Sequence, residues 1–413
     1  QVVNKSTNFK CFIGAATWLP NNIRKGNSSS PLNILMILGR YDELLDPIDL
    51  KEGISNYTNI PISELDVNRL YGSFQDGNAA MIYLDDNSNH ALGDWDPDFI
   101  RETRNFVMNT FPDVKPVDEN FYANIRLINL FLQLMGGFGL FALLVDLLSN
   151  LILKRREEES FKIELENETF YSISGRAFGY SLILGLPGII LFIPIILVGY
   201  LATAGFILAL LFGQAFGILI FLWRIGKKNN LSLGEILKKP FKIPRGSLLR
   251  QIILGITSAV ILSIIIYLSA GLNYIGMIPS LIKIVWFPLY FGFVLLIFLI
   301  FGIMFQGILQ NKLDEGLKQF TKVSLMIFSL LFMYMFIYLL IISLLMGSFF
   351  YFGSFLPFAL PLLLMNSFVF TYIYKKSGNI FAGVITNALF FTLFICTISP
   401  LQSGFSFIMG FFS

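Results

Sequence analysis

Hydrophobic residues follow two different patterns along the chain, and the change comes near residue 122. Before that point, three short apolar runs are separated by polar segments: residues 9–16 (FKCFIGAA), 33–38 (NILMIL) and 79–84 (AAMIYL). Continuous apolar runs of this length predict buried strands of a parallel sheet. A helix is expected over residues 46–66, and apolar residues at helical spacing after Asp96-Pro97 predict another. This pattern predicts an α/β domain over residues 1–120.

The second pattern consists of long apolar segments that fill most of residues 121–413. Each is close to or above the roughly 20 residues that a helix needs to cross a hydrocarbon core. Eight are recognised: 125–153, 178–201, 206–223, 252–268, 284–308, 323–346, 349–374 and 380–398. A hydrophobic content of 55% and 44 phenylalanines also exclude an ordinary soluble domain. The predicted fold class is therefore a small α/β domain followed by an all-α polytopic transmembrane bundle of about eight helices.

The distribution of basic residues predicts the orientation of this bundle. The connectors after the first, third, fifth and seventh segments carry 18 of the 30 lysine and arginine residues, whereas the opposite loops carry only Lys283. The positive-inside rule places the basic connectors in the cytoplasm. We therefore expect a multi-pass protein of the cell membrane with an extracytoplasmic N-terminal domain. Three glycosylation sequons, at Asn4, Asn27 and Asn56, fall on that side.

Candidate chemistry lies where two of the predicted strands end. Gly39-Arg40-Tyr41-Asp42 follows the strand at 33–38, and His90, the only histidine, follows the strand at 79–84. Loops at such strand ends often carry functional side chains because a rigid sheet positions them. Glu43 and Asp46 are also close enough to be the acid, although Asp42 fits best. The sequence therefore predicts that the Asp42 carboxylate and the His90 imidazole lie within hydrogen-bonding distance.

These two segments, PLNILMILGRYDELLDP and SNHALGDWDPDFIRETRNF, resemble the acid loop and the histidine loop of the α/β-hydrolase family. The resemblance covers roughly the first 115 residues and suggests a membrane-embedded member of that family. It implies a partial α/β-hydrolase-type sheet, with His90 as general base and Asp42 as the residue that orients it. The implied activity is serine-type acyl transfer on an ester, amide or peptide bond.

The nucleophile of that family lies on a G-x-S-x-G turn before the acid, and this motif does not occur in the chain. The nearest match, Asn230-Leu231-Ser232-Leu233-Gly234, follows the histidine and lies in a basic connector. Only one further strand fits before Asp42. We therefore expect the chain to be the C-terminal part of a longer product, with the nucleophile on an N-terminal fragment that precedes residue 1.

Two other functions remain open at this stage. One is a catalytically inactive, hydrolase-like docking or structural subunit of a membrane assembly, and the other is a transporter-like bundle with an external domain. Five intramembrane polar residues bear on the second: Asp146, Gln214, Gln306, Asn366 and Asn387. No metal or cofactor is expected, because no histidine–cysteine cluster or phosphate-binding loop is found. The expected partners are membrane lipid, the N-terminal fragment, and other membrane proteins or further copies of the chain, but not nucleic acid.

Overall fold

The computed structural model describes residues 8–20, 22–42, 45–90, 93, 96–115, 125–153, 161–163, 165, 168–272, 276–314, 316–346 and 350–404. The chain divides into two compact units. The first consists of residues 1–129 with 342–356, and the second of residues 130–341 with 357–413. The domain boundary predicted at residues 120 and 121 lies outside the described residues.

The N-terminal domain is built on a four-stranded sheet. Its strands are β1 (Cys11–Ala15), β2 (Asn33–Gly39), β3 (Leu70–Tyr71) and β4 (Ala80–Asp85), in the spatial order β1-β2-β4-β3. The strands β1, β2 and β4 are parallel, whereas β3 pairs antiparallel with β4. The three predicted strands and the parallel sheet are therefore confirmed. The short strand β3, in which Tyr71 pairs with Ala80, is not among the strands that the sequence predicts.

Both faces of this sheet are covered, which explains the continuous apolar runs. All seven residues of β2 are buried, and its alternate side chains point to opposite faces. Ile34, Met36 and Leu38 join the core that includes helix α1 (Pro47–Thr58). Leu35 and Ile37 join the core that includes helix α2 (Pro97–Thr110). The described part of the domain therefore has three layers, with the sheet between helix α1 and helix α2.

The described residues from 125 onward are mainly helical. The helices are α3 (Ile125–Leu153), α4 (Phe170–Val198), α5 (Ala202–Lys228), α6 (Leu233–Lys238), α7 (Arg245–Ile266), α8 (Leu281–Ile284), α9 (Phe287–Gly302), α10 (Leu317–Met346), α11 (Phe350–Ser377) and α12 (Ile380–Ile398). The helices α7 and α9 continue as π-helical turns at Tyr267–Gly271 and Ile303–Leu309. Short 3-10 turns occupy Ile62–Glu64, Lys239–Phe241 and Gln310–Lys312.

Within the described part of the chain, seven helices are long and apolar enough to cross a membrane: α3, α4, α5, α7, α9, α10 and α12, the turns after α7 and α9 included. The protein is therefore a multi-pass membrane protein. The remaining predicted span, 349–374, coincides with α11, a further helix of 28 residues. Whether α11 also crosses the membrane, making eight spans, stays a prediction.

Three of these helices form the interior of the bundle. The most apolar windows of α5, α9 and α12 are 72%, 72% and 78% buried, compared with 11% for α3. The helix α12 packs against α7, α9 and α5, and α4 packs along α5. Close backbone approach makes the α4–α5 contact possible, because a Cβ atom on Gly217 would lie 2.5 Å from the Cα atom of Ser181.

Hydrogen bonds bring the basic connectors to one end of the bundle. At this end, Gln251 Nε2 donates to the Ser377 carbonyl (3.1 Å), and Lys228 pairs with Glu168 (3.0 Å). At the other end, Lys283 Nζ donates to the Thr397 carbonyl (2.8 Å). The chain therefore alternates between a basic end and a nearly uncharged end, in agreement with the loop assignment made from the sequence.

Candidate functional site

Asp42 and His90 meet above the parallel strands of the N-terminal sheet. Asp42 follows β2 and His90 follows β4, and these strands are neighbours in the sheet. The Nδ1 atom of His90 lies 2.9 Å from Oδ2 and 3.1 Å from Oδ1 of Asp42. The Asp42 side chain is fully buried, whereas that of His90 is 24% exposed. The structure thus brings together the two residues that the sequence analysis paired, whereas their catalytic roles stay a prediction.

Backbone hydrogen bonds hold the two loops against each other. The amide of Arg40 donates to the Asp85 carbonyl (2.8 Å), and the amide of Tyr41 donates to the Ser88 carbonyl (3.1 Å). Gly39 makes this approach possible, because a Cβ atom there would lie 2.3 Å from the Ser88 carbonyl oxygen. The position of Asp42 relative to His90 is therefore set by the main chain of both loops.

The contact between a carboxylate and Nδ1 has a definite chemical consequence. With Asp42 ionised, Nδ1 of a neutral imidazole carries the proton and donates a hydrogen bond to the carboxylate, so the basic lone pair lies on Nε2. The amide of Leu45 also donates to Asp42 Oδ1 (3.0 Å), which further fixes the carboxylate. A partly exposed imidazole with a buried, immobilised acid behind it is suited to accept a proton from a hydroxyl group.

The other two candidate acids differ from Asp42. Asp46 caps the N-terminus of α1, where its side chain accepts from the Ile48 amide (2.8 Å) and takes part in a capping box with Asp49. A capping carboxylate stabilises a helix end, which is a sufficient structural role for this residue. Glu43 lies outside the described residues. Of the two candidate acids that the structure describes, Asp42 is thus the one bonded to His90.

Three carboxylates cluster beside this site, and they are the group closest to a metal-binding arrangement among the described residues. Asp85, Asp96 and Asp98 each place an oxygen within 4.8 Å of the others. Each has a structural role: Asp85 accepts from the Ser88 amide, Asp96 caps α2, and Asp98 pairs with Arg101. Burial and the nearby Asp85 carboxylate raise the pKa of Asp96, although capping hydrogen bonds oppose this. These roles account for the cluster without a cation.

Two of the three predicted glycosylation sites lie among the described residues. Asn27 and Asn56 are exposed, whereas Asn4 lies outside the described residues. The side chain of Asn27 accepts hydrogen bonds from the amides of Ser29 and Ser30 and so stabilises a turn. Modification at any of the three positions stays a prediction.

The intramembrane polar residues fall into two groups. Asp146 forms an ion pair with Lys376, Gln214 donates to the Leu330 carbonyl (3.0 Å), and Asn387 donates to the Gly383 carbonyl (2.9 Å). The amide groups of Gln306 and Asn366 are buried without hydrogen-bond partners among the described residues. The first group therefore has structural roles, and Asp146 is not an isolated intramembrane charge.

Comparison of the chain with protein-family models, with curated proteins and with solved structures finds no match. The class of protein is therefore defined by the structure itself. It is a multi-pass helical membrane protein that carries a small domain with a mostly parallel sheet in its N-terminal part.

Proposed function

We propose that the N-terminal domain supplies the acid and the base of a serine-type acyl hydrolase related to the α/β-hydrolase family. The observation that carries this proposal is the contact of His90 Nδ1 with the buried Asp42 carboxylate (2.9 Å). The order of the elements supports it: adjacent parallel strands, an acid after the first and a histidine after the second. The family resemblance of both loops points to the same chemistry.

In this mechanism, a serine hydroxyl attacks the carbonyl carbon of an ester, amide or peptide bond. His90 Nε2 accepts the hydroxyl proton, and Asp42 stabilises the imidazolium ion that forms. The imidazolium then protonates the leaving alcohol or amine as its bond to the carbonyl carbon breaks. Water, activated by the same imidazole, releases the acid product and restores the serine.

The nucleophilic serine of this mechanism is not assigned to any of the 413 residues. Because no G-x-S-x-G sequence occurs among the 413 residues, we place the serine on an N-terminal segment or fragment that completes the sheet. The helical bundle anchors the assembled site at the cell membrane, with the N-terminal domain on the extracytoplasmic side. Substrates would then be lipid or cell-envelope molecules at that surface.

The test is activity-based labelling in native membranes that contain the full protein and its partners. A fluorophosphonate probe should label a serine in the N-terminal part of the full protein or in a polypeptide that co-purifies with it. Asp42→Asn and His90→Gln should each slow that labelling by about 10³–10⁴-fold, the magnitude typical of triad residues. Asp66→Asn makes the same charge change on an exposed carboxylate and should label at the wild-type rate.

The opposite result would favour a different function for the N-terminal domain. If neither the full-length protein nor a co-purifying polypeptide reacts with the probe, or if the Asp42 and His90 variants label normally, the pair is structural. A docking subunit of a membrane assembly would then be the better interpretation of the domain.

A further inference from the structure

A basic cavity lies between α4 and α5, on the membrane domain and independent of the Asp42–His90 site. Its volume is about 450 Å³. Four cationic side chains line it: Arg176 from α4, and Arg224, Lys227 and Lys228 from the last turns of α5. Aromatic and aliphatic side chains, Tyr180, Phe221 and Ile225, complete the lining.

One carboxylate balances part of this charge. Glu168, whose side chain is only 6% exposed, pairs with both Arg176 and Lys228. Hydrogen bonds from these two cations hold the pKa of Glu168 below its usual range. Among the residues that the structure describes, the four cations that line the cavity and Glu168 carry a net charge of +3. A residual positive charge in a concave site favours an anionic ligand.

The guanidinium groups are oriented by aromatic rings. Arg224 donates to the Tyr180 hydroxyl (2.6 Å) and lies 5.9 Å from the centre of that ring. Arg176 lies 5.8 Å from the centre of the Phe221 ring. Such contacts restrict a long side chain before any ligand arrives. Two oriented guanidinium groups are well suited to hydrogen-bond the oxygens of a phosphate group.

Helix-end electrostatics explains only part of this arrangement. Lys227 and Lys228 lie in the last turn of α5, where cations interact favourably with the helix dipole. Arg176 lies in the second turn of α4, near the end of a helix that disfavours positive charge. The ion pair with Glu168 offsets this unfavourable position, and it holds the Arg176 guanidinium at the edge of the cavity.

The depth of the cavity indicates the source of the anion. It lies where the apolar part of α5 gives way to charge, next to Trp223, which is exposed like the aromatic residues that mark membrane interfaces. One turn from Tyr180 toward the membrane, the side chain of Ile183 is exposed on α4. A ligand with a charged head and an apolar tail fits both features. Anionic lipids are also enriched in the cytoplasmic leaflet, the side to which the positive-inside rule assigns this end.

We propose that this cavity between α4 and α5 binds the phosphate headgroup of an anionic phospholipid. Arg176 and Arg224 contact the phosphate oxygens, and Lys227 and Lys228 add charge at the rim. Glu168 competes with the headgroup for Arg176 and Lys228. The acyl chains lie along the exposed apolar surface of α4 that includes Ile183.

Native mass spectrometry of the full-length protein, purified in detergent, tests this proposal. After incubation with equal amounts of phosphatidylglycerol and phosphatidylcholine, the wild type should retain phosphatidylglycerol preferentially. The double variant Arg176→Gln/Arg224→Gln should bind phosphatidylglycerol about ten-fold or more weakly, because it loses two charge-assisted contacts. The matched control, Lys318→Gln/Lys322→Gln, removes the same charge from exposed positions on α10 and should bind like the wild type.

A variant that removes a negative charge distinguishes lipid binding from a purely structural cluster of ion pairs. Glu168→Gln removes the competing anion and should increase phosphatidylglycerol binding several-fold. A decrease in binding would overturn the proposal, as would equal losses in the arginine and lysine double variants. Displacement of the lipid by millimolar inorganic phosphate would also overturn it, because the site would then select a free anion.

Discussion

At the scale of single residues, Gly39 is the position on which the acid–histidine geometry depends most directly. Its lack of a side chain lets the loop after β2 contact Ser88, in the loop that carries His90. The obstacle to a larger residue is the main chain of Ser88, which has less freedom to move away than a flexible side chain. A single methyl group at this position should therefore force the two loops apart.

Gly39→Ala should destabilise this region by about 1–3 kcal/mol, the usual cost of forcing an extra group into a packed site. Hydrogen–deuterium exchange of the full-length protein provides the measurement. Amides of residues 80–90 should exchange faster in the variant, and Asp42 should lose its contact with His90.

Gly136→Ala is the matched control, since a Cβ atom at that helical position would meet nothing within 4 Å. It should leave the exchange of residues 80–90 unchanged. If residues 80–90 of the Gly39→Ala variant exchange as slowly as in the wild type, the two loops can accommodate a methyl group at this position, and the prediction is wrong.

The sequence was sufficient to predict the partnership of Asp42 and His90, because each follows an apolar run and the order matched a known arrangement. It did not reveal the part played by Gly39, which depends on how closely two loops approach in space. The sequence also did not indicate that Arg176 and the cations at the end of α5 line one cavity. The one signal was Arg176, a lone cation inside an otherwise uncharged helix.

At the scale of helices and strands, the packing of α4 on α5 depends on small residues. The gap between Gly217 and Ser181 is too small for a side chain, and Gly188 on α4 similarly faces Gly213 on α5. In a membrane, where lipid chains are as apolar as the helices, close packing of this kind is a major source of association. The contact should therefore be sensitive to one added methyl group.

Gly217→Ala should lower the thermal unfolding midpoint of the detergent-solubilised protein by several degrees. Gly175→Ala offers a matched control on α4, because a Cβ atom there would have open space around it. That control should leave the midpoint unchanged or raise it slightly, since alanine favours helix more than glycine does. Equal midpoints in both variants would contradict the proposed role of the α4–α5 contact.

Strands and long helices could be predicted because their apolar pattern extends over many residues. Shorter elements depend on tertiary contacts and carry little local signal. The two-residue strand β3 exists because Tyr71 pairs with Ala80. Similarly, the π-helical turn at Ile303–Leu309 has no distinct composition that separates it from α9. Its Gln306 was recognised only as a polar residue in an apolar segment.

At the scale of the whole molecule, the basic connectors meet at one end of the bundle. This common location supports the positive-inside assignment, which places that end in the cytoplasm. The orientation itself is tested by the accessibility of single cysteines at the two ends. Ser280 and Lys318 are suitable positions, because both are exposed and lie on opposite sides of α9 in the chain.

In a background of Cys11→Ser and Cys396→Ala, Ser280→Cys should react with a membrane-impermeant maleimide added to intact cells. Lys318→Cys should react only after the membrane is permeabilised. The comparison requires equal expression of the two variants, measured by labelling after full solubilisation. The reverse pattern would invert the proposed topology and place the basic lipid site on the outer leaflet.

The burial of α12 has a consequence for biosynthesis. This helix contacts α5, α7 and α9, yet it emerges from the ribosome after all of them. Until α12 is made, the surfaces of α5, α7 and α9 that contact it must therefore be covered by lipid or by a chaperone. A ribosome that stops before residue 380 would leave the earlier helices in place without α12 between them, so quality control of this protein should act after α12 is made.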